Sequence, residues 1–269
     1  MFFQKIFAYI KKSFLIESSY RLSFWGDIFG TIASLLTFYF IDRLFGRQMS
    51  PHLLPFGINY FSYVLVGIAF SSFIGTGLGS LSGQIRHEQI TGTLESLLLA
   101  PTRMGVLIIA ISLWNFLWAS VDLLLYLLLG IFAFKIDFSN INLLSTFIIF
   151  LLSVVAFNSL GLISASFILI FKRGDPVSWV INTAFGLFGG VYFPITIFPL
   201  WLQKLSALLP ITYSIRSIQM AIYKGATLRM LFPDLIVLLC LTIALIPLSL
   251  LSLGYAFRRT KEEGSLVQY

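Results

Sequence analysis

LLSTFIIFLLSVVAFNSLGLISASFILIF, from Leu143 to Phe171, carries no charged residue. It exceeds the about 20 apolar residues that cross a bilayer core of about 30 Å. Similar runs recur on both sides of it, at about Leu22–Phe40, Tyr60–Leu81, Met104–Phe134, Val177–Phe193 and Leu231–Phe257. The 269 residues are 58% hydrophobic and 11% charged, whereas about a quarter of a soluble domain is charged. The runs are continuously apolar, unlike the short alternating segments of a β-barrel strand. The expectation is an all-α, polytopic membrane protein with six transmembrane helices. Residues 1–269 form one transmembrane domain with no soluble domain attached.

The segments between the runs complete this picture. Phe2, Phe3, Ile6, Phe7, Ile10 and Phe14 recur at helical spacing with Lys5, Lys11 and Lys12 opposite. Residues 1–21 are therefore expected as an amphipathic helix in the membrane interface, too charged to span and unlike a cleavable signal peptide. Between 194 and 230 the chain is neither a clean span nor a polar loop. Pro194, Pro199 and Pro210 interrupt short leucine-rich pieces, which fit re-entrant helices; broken backbone at such depth needs protein or a water-filled cavity around it. Six spans put both termini on one side. With the termini cytoplasmic, eleven Lys and Arg lie inside and seven outside, in the sense of the positive-inside rule. The net charge of +7 then belongs with anionic lipid rather than nucleic acid.

The polar island Gln84–Arg103, QIRHEQITGTLESLLLAPTR, follows the second run. Thr91, Gly92 and Thr93 can start a helix, Glu95 suits its first turn, and Pro101 stops it. Leu94, Leu97 and Leu98 share one face. This spacing fits a helix docked on a partner and a helix resting on the bilayer equally well.

The string EQITGTLESLLLAPT, Glu88 to Thr102, resembles the signature of type-2 ABC exporter permeases: a glutamate, then Gly-Thr-x-Glu, Leu-Leu and a proline. Glu88, Gly92, Thr93, Glu95, Leu97, Leu98 and Pro101 occupy those places. A second block, GVYFPITIFPLWLQKLSALLPITYSIRSIQMAI (Gly190 to Ile222), is similar to the region before the last span of the same family. Its matching elements are Phe193-Pro194, Pro199-x-Trp201-Leu202, Leu209-Pro210, Tyr213 and Arg216.

The resemblance implies that 84–103 is a coupling helix seated in a cytoplasmic ATP-binding subunit, with Arg86, Glu88 and Glu95 as polar contacts. It implies two ATPase copies, a second permease copy as homodimer, and the bacterial cytoplasmic (inner) membrane as location. ATP and Mg would bind the partner, since the chain has no GxxxxGK[ST] loop and no cofactor of its own is expected. Phe193, Pro194, Trp201, Pro210, Tyr213 and Arg216 would lie at an outer gate. The second block looks more like the drug and lipo-oligosaccharide branch than the O-antigen and teichoic-acid branch. An amphiphilic small molecule or lipid-linked glycan is the implied cargo.

Other features have plainer readings. Gly75, Gly79 and Gly83 form a small-residue stripe, expected to pack a neighbouring helix of the same subunit. Cys240, the single cysteine, is expected as a packing residue in the last span. Asp122, mid-way along the third span, is an intramembrane acid and by default a functional residue; an ion-coupled secondary transporter using it is the alternative function. His52 and His87 are not accompanied by other ligand residues, so no metal site is expected, and no hydrolytic constellation is present.

Overall fold

The computed structural model describes residues 2–19, 21–44, 51–90, 104–171 and 176–262, which are helical throughout with short turns and no strand. The helices are α1 (Phe2–Ser19), α2 (Arg21–Leu44), α3 (Tyr60–Ile90), α4 (Met104–Phe132), α5 (Leu143–Phe171), α6 (Pro176–Phe188), α7 (Leu200–Ser206), α8 (Pro210–Tyr223) and α9 (Leu228–Glu262). Four of them, α3, α4, α5 and α9, are long and apolar enough to cross a membrane. Their burial orders them. The spanning window of α3 is 78% buried, against 22% for α4 and 17% for α9, so α3 is the core helix and α4 and α9 turn apolar side chains outward. An exterior this apolar is the surface of a protein whose solvent is lipid.

α3 and α4 form an antiparallel hairpin, with Phe73 against Phe116 at one level and Leu81 and Ile85 near Ile111 further along. α5 runs parallel to α3, Phe73 meeting Phe150 at 4.4 Å between ring centroids. α9 runs parallel to α5, from Leu228 beside Ile148 to Thr260 beside Leu169. α1 lies along α4, where Phe14 meets Trp114 edge-on.

Local chemistry explains where the helices begin. The Asn59 side chain accepts the Ser62 amide at 3.0 Å, and the buried Asp42 carboxylate from the end of α2 accepts the Phe61 amide at 3.2 Å. Two otherwise unpaired donors of the first turn of α3 are thereby satisfied. Asn142 does the same for α5 through the Ser145 amide.

The second span ends at Gly79, close to the expected Leu81, while the helix itself continues to Ile90, because Gln84–Ile90 keeps good helix formers and meets no breaker. Three other sequence expectations change. The fifth run ends as helix at Phe188 rather than near Phe193, where Gly189 and Gly190, the latter at φ +82°, break it. Its 13 residues rise about 20 Å, short of a bilayer core. Cys240 is exposed on α9 rather than packed. The glycine stripe, finally, packs no neighbouring helix along its length among the described residues: none of them lies within 4 Å of a Cβ placed at Gly79 or Gly83, and the Asn182 side chain alone among them approaches Gly75.

The close approaches fall elsewhere. A Cβ at Gly161 would stand 2.9 Å from the Leu78 carbonyl oxygen, and one at Gly67 would strike the backbone of Val191. Backbone cannot yield as a side-chain tip does. Gly161→Ala and Gly67→Ala should each destabilise the chain by about 1–3 kcal/mol, whereas Gly254→Ala, on α9 with no described atom within 4 Å of the added Cβ, should be neutral or stabilising by up to about 1 kcal/mol. Thermal melting of the purified chain in detergent tests this; equal losses for all three would remove the close approach of α3 to α5 and to the 189–191 turn.

Candidate functional site

Two regions carry the residues singled out in the sequence. At one end of the bundle lies the polar island. Gln84–Ile90 forms the last two turns of α3. Arg86 is part-buried there, and its Nη1 is enclosed without a hydrogen-bond partner among the described residues. The backbone of Glu88 is helical. Its side chain, and Gly92, Thr93, Glu95, Leu97, Leu98 and Pro101, lie outside the described residues.

The other end is built around α8. The chain leaves α6 through the Gly189–Gly190 turn, makes a 3₁₀ turn at Ile195–Ile197, and returns through α7 and α8. The prolines set these breaks: Pro194 and Pro199 precede the 3₁₀ turn and α7, and Pro210 opens α8 at its first position. α8 has buried residues along nearly its whole length.

Its polar side chains are tied to every neighbour. Gln219 Nε2 donates to the Tyr63 carbonyl at 3.0 Å and Tyr223 Oη to the Ser62 carbonyl at 2.6 Å, both in the first turn of α3. Ser153 Oγ of α5 donates to Ser214 Oγ at 2.9 Å. The Ala221 carbonyl accepts the Asn142 amide before α5. Arg216 clasps Asp234 of α9 with two donors, Nε at 2.7 Å and Nη2. Tyr63 Oη closes the arrangement by donating to the Gly190 carbonyl at 2.7 Å.

Between these elements is a cavity of about 360 Å³ whose wall includes His52, Tyr63, Pro194, Gln203, Tyr213 and Arg216. Most of its polar groups already hold backbone. Gln203 Nε2 donates to the Phe198 carbonyl, Thr212 Oγ1 to Ser206 and Tyr213 Oη to Ala207. His52 Nδ1 lies 3.0 Å from Thr196 Oγ1, joining the α2–α3 connection to the 194–199 turn. The space is thus a scaffolded vestibule. Of the six residues named from sequence, the cavity gathers Pro194, Tyr213 and Arg216. Phe193 stacks on Tyr60 beside it, Pro210 is buried at the start of α8, and Trp201 projects outward.

Asp122 sits half-buried on α4, within electrostatic range of Asp27 on α2. It belongs to neither region.

Sequence reasoning passed over Gln219, Tyr223, Asp234 and Asp42. The first two stand four apart on α8 and so share a face, which is a usable signal. Asp42 reads from sequence as one more polar loop residue.

A bundle of bilayer-length helices with an apolar exterior defines a multi-pass membrane protein. The model of the ABC-2 type transporter family matches residues 4–223, and the chain belongs to that family. Such a chain is the permease, not itself catalytic, and the family works with ATPase partners. No curated protein sequence matches it.

The Arg216–Asp234 pair joins a half-exposed guanidinium to a carboxylate that is only 13% exposed. Asp234→Asn should lower stability by about 1–2 kcal/mol, and Arg216→Asp with Asp234→Arg should recover part of that loss. A melting series with a double-mutant cycle reads the coupling; strict additivity would mean that the pair does not hold α8 to α9.

Proposed function

We propose that this chain is the permease of an ATP-driven exporter, working as a homodimer with two copies of a cytoplasmic ATPase. The observation that carries the reading is the family match over residues 4–223, joined to a polar island whose residues resemble the family's coupling helix. In this reading α2 supplies the first crossing and α6, lengthened by the non-helical stretch 189–193 that follows it, the fifth; with the four bilayer-length helices this gives six per subunit. Both termini face the cytoplasm of a bacterial inner membrane, and α7 and α8 form a re-entrant hairpin on the outer side.

ATP and Mg on the partner subunits close the ATPase pair. Residues 84–103 receive that motion, with Arg86, Glu88 and Glu95 as polar contacts and Leu97 and Leu98 as the apolar face. α3 carries it outward. Its first turn is bonded to Gln219 and Tyr223, so a tilt of α3 moves α8 and the vestibule with it. The cargo is an amphiphilic small molecule or a lipid-linked glycan, passing between the two permeases. Support for a second copy comes from the small, partly uncovered face of α3 at Ser72, Gly75, Thr76, Gly79 and Gly83, where another backbone can come close.

The test is reconstitution of the permease with its ATPase in vesicles. Cargo-stimulated ATP hydrolysis should be present and Glu95→Ala should reduce it by at least about tenfold, a loss of about 1.4 kcal/mol in coupling. Tyr223→Phe should leave ATPase binding intact while lowering transport per ATP. Transport that survives ATP depletion and stops with a protonophore or with Asp122→Asn would replace this reading with the ion-coupled one.

A further inference from the structure

Asn182, midway along α6, is exposed and lies against α3, where a Cβ at Gly75 would stand 3.4 Å from its Oδ1. Its neighbours on α6 fix its depth. Ser178, one turn before it, pairs with Ser164 of α5, and Phe185, just after it, meets Phe157 of α5 edge-on at 5.6 Å between ring centroids. Asn182 is therefore level with residues 157–164, close to the middle of the 29-residue α5. It sits at mid-membrane.

Lipid tails offer a side-chain amide nothing to bond. Elsewhere in the bundle the chain satisfies such groups itself. Asn115 of α4 donates to the Ile111 carbonyl one turn back, and Asn158 of α5 accepts from Ser112. Asn182 makes no hydrogen bond among the described residues. Beside it runs the uncovered strip of α3, where no described residue lies within 4 Å of a Cβ at Gly79 or Gly83. Small residues that admit a neighbouring backbone and an amide that bonds across helices are the two ingredients of a helix–helix seam in a membrane.

We propose that two copies of this chain meet along this seam, with Asn182 hydrogen-bonded to Asn182 of the partner subunit across a two-fold axis. A two-fold axis lays a surface onto itself, so a residue on the axis must be its own complement. A carboxamide is one, because its NH2 donates and its carbonyl accepts. The glycines of α3 bring the two backbones close enough for side chains this short to reach each other. The pair also sets register, as a single asparagine does in the apolar seam of a coiled coil. This inference rests on the homodimer reading above and supplies its interface.

The dimer dissociation constant of the full chain in mild detergent, read by light scattering over a dilution series, tests the proposal. Asn182→Leu should raise it about three- to thirtyfold. Gly79→Leu, which has room within its own chain but not beside a second backbone, should raise it at least tenfold. Asn182→Asp should dimerise at acidic pH, where two carboxylic acids pair as two amides do, and dissociate at alkaline pH, where two carboxylates repel. In a chain carrying Cys240→Ser, Asn182→Cys should give a disulfide-linked dimer on mild oxidation in membranes, and Leu239→Cys on the exposed side of α9 should not. A monomeric wild type removes the homodimer reading and this inference together. A wild-type dimer that the Asn182 and Gly79 substitutions leave unchanged, with no cross-link from Asn182→Cys, overturns the seam alone. So does an unchanged dimer in which Asn182→Leu alters cargo-stimulated ATP hydrolysis, which makes the amide a cargo contact.

Discussion

The bundle depends on how closely α5 can be approached. Inside a bilayer two apolar helices gain nothing by hiding from lipid, so association must come from contact and from hydrogen bonds between helices. α5 supplies both. Gly161 lets the backbone of α3 come against it at the Leu78 carbonyl, and a single hydroxyl or amide reaches each other neighbour. Ser112 of α4 donates to Asn158, Ser153 to Ser214 of α8, Ser164 pairs with Ser178 of α6, and Ser166 faces Ser252 of α9. Each contact is worth about 0.6 kcal/mol on average in a membrane. Their value is positional: four elements are registered against one helix at four different heights.

That registration turns α3 into a long lever. Its 31 residues rise about 46 Å without a break, bonded at the start to α8 and ending at the polar island. A helix held along its middle by α4 and α5 does not bend easily under a load at one end. A displacement at Ile90 must instead tilt the rod or slide its seams. Gln219 and Tyr223 grip the first turn of α3 through main-chain carbonyls, so they transmit movement of the backbone itself rather than of a rotatable side chain. The cavity wall is built from the same elements.

The helices were legible in the sequence where length and hydropathy alone decide them. Leu143 and Phe171 bound α5 in both, because uncharged residues fill the run and Asn142 and the basic pair Lys172 and Arg173 frame it in sequence. Legibility failed where a neighbour decides. A glycine period of four looks like a packing stripe, yet the backbone crossings are at Gly67 and Gly161, which no periodicity distinguishes. Asp42 is a charged residue between apolar segments by composition and a buried helix cap by position. The vestibule was half legible. Pro194, Tyr213 and Arg216 fall on its wall, but His52 reaches it from 144 residues away in sequence, a distance no local pattern spans.

The return from α6 to α8 is a broken backbone whose polar groups are held by side chains. Non-helical residues carry donors and acceptors that lipid cannot satisfy, so such a stretch must be enclosed by protein. Here the enclosure is specific. Tyr63 binds the Gly190 carbonyl, Gln203 the Phe198 carbonyl, Thr212 that of Ser206 and Tyr213 that of Ala207. These four carbonyls lie at the successive corners of the return. Releasing any one away from water would leave a polar group unpaired, at a cost of about 1–3 kcal/mol. The corners are therefore not free to flex one at a time. Motion at this end has to carry α7, α8 and the turn between them as a unit, with the yielding surfaces at the apolar seams, where contacts exchange for lipid with little change in energy.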